Sequence, residues 1–142
     1  MADRRPIWDR LGAGAEPPNM RSSALSKGLS VEISPGELID KITILEIKRE
    51  RMTDSTKLKN VEHDWTTLTA ARDGAVKPSA ELDRLAAELK QVNERLWEIE
   101  DDIRDCERRK DFGNKFVELA RGVYMNNDRR SEIKRAINQL LG

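Results

Sequence analysis

The chain has 142 residues, 26 of them basic and 26 acidic, so 37% are charged while only 4% are aromatic. With a mean hydropathy of −0.72 and no run of about 18 apolar residues, the composition excludes a membrane-spanning helix, and zero net charge argues against nucleic-acid binding by bulk basicity. The lone Cys106 and lone His63 are too few for an internal disulfide or a zinc site.

Residues 1–30 read as a disordered N-terminal tail. They hold Gly12, Gly14, Gly28, Pro6, Pro17 and Pro18 among several serines, with no apolar periodicity. The apolar core of a secretory signal is missing, and Asp3, Asp9 and Glu16 argue against a transit peptide, so a cytoplasmic location is expected. A single helical domain is expected over 31–142.

Ser34-Pro35-Gly36-Glu37 is a helix start. Serine caps, proline takes the first helical position, and glutamate three residues after the cap closes a capping box. Apolar positions Leu38, Ile39, Ile42, Ile44, Leu45, Ile47 and Met52 give this first helix a broad buried face. Thr53-Asp54-Ser55 breaks it. A second helix over about 55–73 rests on Leu58, Val61, Trp65 and Leu68, and Gly74 and Pro78 mark the next turn.

From Ser79 the chain carries Leu82, Leu85, Leu89, Val92, Leu96, Ile99, Ile103 and Cys106 at alternating spacings of 3 and 4, four heptads of one apolar seam. A helix over 79–110 would be about 48 Å long. That length suits an antiparallel coiled-coil-like hairpin with the second helix, and the far end of the seam, over 74–89, leaves room for a homodimer. Asp111-Phe112-Gly113 ends the long helix. A fourth helix is expected on Phe116, Leu119, Ala120 and Val123, an Asn126-Asn127-Asp128 cap after it, and a fifth helix on Ile133, Ala136, Ile137 and Leu140. The fold class is therefore all-α: an N-terminal helix, a long helical hairpin and a two-helix C-terminal cap.

Three clusters are candidate sites. Asn93, Trp97, Glu100 and Arg104 recur at 4, 3 and 4 off the heptad seam and form a helical face of their own. Arg121, Tyr124 and Asn127 surround the expected N-terminus of helix five, where free backbone N–H groups would suit a phosphate or carboxylate; nine basic residues face five acidic ones from Glu107 onward. Third, carboxylates cluster: Glu37 and Asp40 on helix one, and Glu98, Asp101 and Asp102 on the long helix, a pattern able to hold Mg²⁺. The competing explanations are a packing ridge, a simple cap and a solvated charged face. His63 reads as a surface residue and Cys106 as a small buried hydrophobe.

Three stretches carry a resemblance: ISPGELIDKITILEIK over 33–48, NERLWEIEDDIR over 93–104 and FVELARGVYMNNDRRSEIKRAIN over 116–138. They resemble a small bacterial and phage domain family of unknown function, of the DUF6165 type. The resemblance spans about 31–142, is weakest over 53–80 and leaves the N-terminal arm outside. It implies a stand-alone cytoplasmic protein, and its polar vocabulary implies a surface for a ligand or partner, without naming an activity.

The expected function is a non-enzymatic binding or interaction module without a cofactor. Its site would combine Glu37, Asp40 and Lys41 with Asn93, Trp97, Glu100 and Arg104, bordered by Arg121, Tyr124 and Asn127. The occupant would be a small anion, such as a sugar phosphate or nucleotide, or a partner protein. The alternative is a Mg²⁺-dependent all-α phosphohydrolase using Glu37, Asp40, Glu98, Asp101 and Asp102.

Overall fold

The computed structural model describes residues 28–142, so the expected tail lies, apart from residues 28–30, outside the described residues. Four helices follow: α1 (Pro35–Arg51), α2 (Ser55–Ala75), α3 (Ala80–Arg109) and α4 (Asn114–Leu141). No strand occurs among the described residues. Three of the starts carry a side-chain cap, although the Glu37 carboxylate, expected to close a capping box with Ser34, goes to Lys134 instead. Ser34 Oγ accepts the Glu37 N–H at 3.2 Å, Asp54 accepts the Thr56 and Lys57 N–H groups at 2.9 and 3.0 Å, and Ser79 accepts the Leu82 N–H at 3.1 Å. Such side-chain caps satisfy backbone donors that a helix start leaves open, each worth about 1 kcal/mol.

The helices form a three-helix base of α1, α3 and α4, with α2 laid on the outer side of α1. Ile39 shares a core cluster with Leu82, Leu85, Leu89, Ile133 and Ile137, while Arg51 reaches Glu94 and Glu98 at 3.5 Å. Thus α1 runs beside α3 in the same direction. The order reverses in α4, where Arg129 meets Glu88 at 2.9 Å and Gly122 lies against Ile99. Leu89, Ile133 and Ile137 are essentially solvent-free, each contributing roughly 1.5–3 kcal/mol by burial.

Three expectations are corrected. The long helix does form an antiparallel hairpin, but with α4 rather than α2. Its seam at Leu82, Leu85 and Leu89 is taken by Ile133, Ile137 and Ile39. The apolar residues of α2 go instead to Leu45, Ile47 and Met52 of α1, and Arg49 pairs with Glu62 at 2.6 Å and lies 3.9 Å over the Trp65 ring. For the same reason Leu82, Leu85 and Leu89, toward the far end of the seam, are covered by Ile39, Ile133 and Ile137 and not by the second helix alone.

The third correction concerns the two-helix cap, which is one continuous helix. Asn126 does not cap; its Nδ2 donates to the Gly122 carbonyl at 2.8 Å inside the helix. Three weak helix formers cost only tenths of a kcal/mol each, less than the tertiary bonds that Arg129 and Arg130 make directly after them. No helix N-terminus therefore exists beside Arg121, Tyr124 and Asn127, and the backbone N–H groups expected to receive an anion there lie inside the helix.

Candidate functional site

Helix α1 is fixed to α3 and α4 through one buried carboxylate. Asp40, with no exposed surface, accepts Arg130 Nε on Oδ1 at 2.8 Å and Arg130 Nη2 on Oδ2. Asn93 Nδ2 donates to the same Oδ1 at 2.9 Å and to Thr43 Oγ1 at 2.9 Å, and Thr43 Oγ1 donates to the Asp40 carbonyl at 2.8 Å. Forked arginine–carboxylate bonds are strong, and a buried charge is tolerated only when its lone pairs are used in this way. One turn earlier, Glu37 and Lys134 stand 2.6 Å apart, with Lys134 Nζ 3.9 Å from Asp40. At the mouth, Asn138 Oδ1 accepts the Gly36 N–H at 2.7 Å. A Cβ on Gly36 would sit 2.4 Å from the Lys134 carbonyl, so only glycine lets the two backbones approach this closely.

Burial works against the Arg130 cation, but the hydrogen bond and charge of Asp40, joined by Glu37 and Glu100, hold its pKa above the ordinary value. Lys41 is lowered because burial outweighs the attraction of Glu37 and Asp40, and Lys134 and Arg130 repel it. Glu100 is pushed up to about 7, chiefly by burial and then by Asp101, against the pull of Arg104 and Arg130. Its Oε2 is buried without a hydrogen-bond partner.

Of the residues singled out in the sequence, Glu37, Asp40, Lys41 and Asn93 come together. Trp97 is core, packed with Leu45, Ile47, Met52 and Val61. Glu100 and Arg104 continue the ridge of Asn93 and Trp97 along α3, with Glu100 near enough to Arg130 for their charges to interact. Arg121 and Tyr124 lie exposed farther along α4, where Tyr124 and Glu118 raise the Arg121 pKa. Asn127 is half-buried. The two carboxylate groups of the metal reading sit on different helices: Glu37 is in the first turn of α1, and Glu98 pairs with Arg51 at its last residue, about 20 Å along the helix. Among the described residues no group of three or more His, Cys, Asp or Glu is placed to hold a metal ion.

The partners not expected beside Asp40 are Thr43 of α1 and Arg130, Lys134 and Asn138, which the sequence shows only as part of a basic and polar C-terminal cluster. A signal existed: Phe116, Ala120, Val123, Asn127, Arg130, Lys134 and Asn138 recur at 4, 3, 4, 3, 4 and 4, a single stripe on α4. Its second half is the α1-binding face. Its first half continues toward the turn that joins α3 to α4, the arm of the hairpin. There Phe116, Leu119 and Val123 stay half-buried, Val117 and Tyr124 are exposed, and Phe112 meets Phe116 edge-on at 5.3 Å between centroids. A cavity of about 240 Å³ lies elsewhere, between α1, the end of α2 and the start of α3, lined by Ile39, Ile42, Val76, Leu82 and Ala86 with Glu46 at its edge; none of the expected site residues reaches it.

No helix among the described residues is long and apolar enough to cross a membrane. No curated protein and no solved structure is detectably similar to the chain. A match to the family described as "Family of unknown function (DUF6165)" covers residues 29–141, nearly the whole described domain, and the chain belongs to that family.

Proposed function

We propose that the chain is a non-enzymatic interaction module in which the base holds α1 and the α3–α4 arm is offered to a partner protein. One observation carries the reading. On the half of α4 nearer the turn, Phe116, Leu119 and Val123 are only half-buried and Phe112, Val117, Tyr124 and Met125 are exposed, beside the half-buried Arg104 of α3. Apolar surface at helical spacing beside charged residues is the chemistry of a helix-binding groove. The test places a photo-crosslinking amino acid at Tyr124 or, as a control on the outer face of α3, at Arg84, in the full chain inside its native cell. Adducts are expected at 124 and absent at 84. An absence of adducts at 124, of any mass, removes the reading.

A second reading keeps a small anion at the base, favoured by three cations, Lys41, Arg130 and Lys134, gathered around two carboxylates, Glu37 and Asp40. Thermal shift against nucleotides and sugar phosphates, with and without Mg²⁺, tests it and the phosphohydrolase alternative together. No shift with any of them dismisses both.

A further inference from the structure

We infer that the cavity between α1, α2 and α3 binds a small organic cation, an apolar body that ends in one ammonium group. This cavity lies apart from the arm and from the Asp40 cluster. It follows from the way three helices meet.

Helices α2 and α3 both pack on α1 and scarcely touch each other. The short turn after Val76 joins them, and α1 is the floor of the space they leave. Ile39 and Ile42 form that floor at 3% and 2% exposure, Leu82 closes the α3 side, and Val76, Pro78 and Ala86 complete an apolar lining. The floor is held in place. Thr43 also lines the cavity, and its hydroxyl donates to the Asp40 carbonyl at 2.8 Å and accepts from Asn93 at 2.9 Å. A preformed apolar space with a few charged groups at its edge is the usual form of a small-ligand site. Its volume of about 240 Å³ is that of roughly eight waters, too small for a nucleotide and enough for about ten heavy atoms.

Charge selects the ligand. The rim carries three carboxylates, Glu46, Asp73 and Asp83, and one guanidinium, Arg72. Arg72 is engaged by Asp73 at 3.0 Å, and Lys90 is divided between Glu46 and Glu50 at 3.4 and 2.6 Å. Asp83 is left over. Its neighbour Arg84 pairs with Glu81 and Glu88, and Asp83 makes no ion pair among the described residues. The edge of the cavity therefore attracts one more cation and repels an anion. Beside apolar walls that attraction is less screened than on an open surface. An ammonium at Asp83 with its apolar body on Ile39, Ile42 and Leu82 uses both features of the cavity. A neutral ligand uses only one, and an anion meets repulsion.

The test titrates the full chain, isotope-labelled for amide spectra, with three probes of similar size at fixed ionic strength: phenethylamine, phenylethanol and phenylacetate. Phenethylamine should shift the amides of Ile42, Val76 and Ala86 with a Kd of about 1 mM, in keeping with a ligand of about ten heavy atoms. Phenylethanol should bind about tenfold more weakly, and phenylacetate should move none of these amides. Asp83→Asn changes an exposed carboxylate and should bring phenethylamine to the affinity of phenylethanol. Ala86→Met fills the half-buried edge of the cavity and should weaken both ligands about tenfold, with the circular dichroism and melting of the parent.

Phenethylamine that leaves the three amides unmoved overturns the inference. So does equal affinity for the amine and the alcohol, or phenylacetate binding at the same amides. An Asp83→Asn variant that holds the amine as tightly as the parent removes the role of charge, and with it the ligand class. A folded Ala86→Met variant that binds both ligands like the parent removes the cavity as their site.

Discussion

The base and the arm are built from the same two helices, yet differ in almost every physical respect. In the base, α4 presents Ile133 at 1% and Ile137 at 0% exposure, and its polar stripe is consumed by Asp40, Glu37 and Gly36. In the arm, Val117 and Tyr124 are 48% and 55% exposed, and the ion pair of Arg121 with Glu118 is local and solvated. The difference comes from the number of neighbours. A third helix gives each apolar side chain a closed surround and makes a buried ion pair tolerable; two helices alone leave one side wet.

The strongest way to break this comparison is at Asp40. Asp40→Ala leaves the buried Arg130 guanidinium without its carboxylate and should cost about 3–5 kcal/mol in urea unfolding. A loss under about 1 kcal/mol would mean that the base is not held by this pair.

Glu100 sharpens the border between the two regions. Its folded pKa of about 7 lies above the ordinary 4.5. The folded state therefore holds the proton over a range where the unfolded state has released it. Stability from this group is fully present below about pH 4.5, falls as the pH rises and is lost above about 7, by at most roughly 3 kcal/mol. Glu100→Gln should erase that decline. Unfolding free energies of the two proteins at pH 5, 6, 7 and 8 check it, and parallel curves would show that Glu100 does not titrate there.

Gly36 tests how tightly α1 is seated. Gly36→Ala puts a methyl against the Lys134 carbonyl, where no flexible side chain can yield. A loss of about 1–3 kcal/mol is expected, although alanine favours the helix by nearly 1 kcal/mol. A variant melting at or above the parent would show that α1 shifts freely on α4.

These positions also show what could be read from sequence. Ser34 and Ser79 were legible at the starts of α1 and α3 because capping is local chemistry, decided within four residues, while Asp54, read only as part of a break, caps α2. The heptad of α3 was legible for the same reason. Its partner was not, because an apolar seam states that something will cover it without naming which helix. The same gap explains the site. Glu37, Asp40 and Asn93 were singled out by type and spacing, but Arg130 and Lys134 become their partners only once α4 folds back as one helix. The Asn126-Asn127-Asp128 run hid that, since local preference pointed to a break and tertiary bonds overruled it. Trp97 was expected in a groove and lies in the core, because the ridge it belongs to faces α1.

The smallest effect is expected at the turn that joins the two helices of the arm. Lys110 ends α3 at φ +55°, a left-handed conformation that its side chain disfavours. Its N–H is satisfied by Glu107 O at 3.1 Å, and Asp111 N–H reaches Cys106 O at 2.9 Å. Glycine adopts this geometry without a Cβ penalty, so Lys110→Gly should stabilise the turn by about 0.5–1 kcal/mol despite the solvated pair lost with Glu107. Amide exchange distinguishes the regions. If the arm opens independently of the base, amides across 103–120 exchange with a lower opening free energy than those of Leu89 and Ile137, whose exchange reports global unfolding, and Lys110→Gly slows both. Equal opening free energies at both places would mean that arm and base unfold as one unit and that the arm has no autonomy.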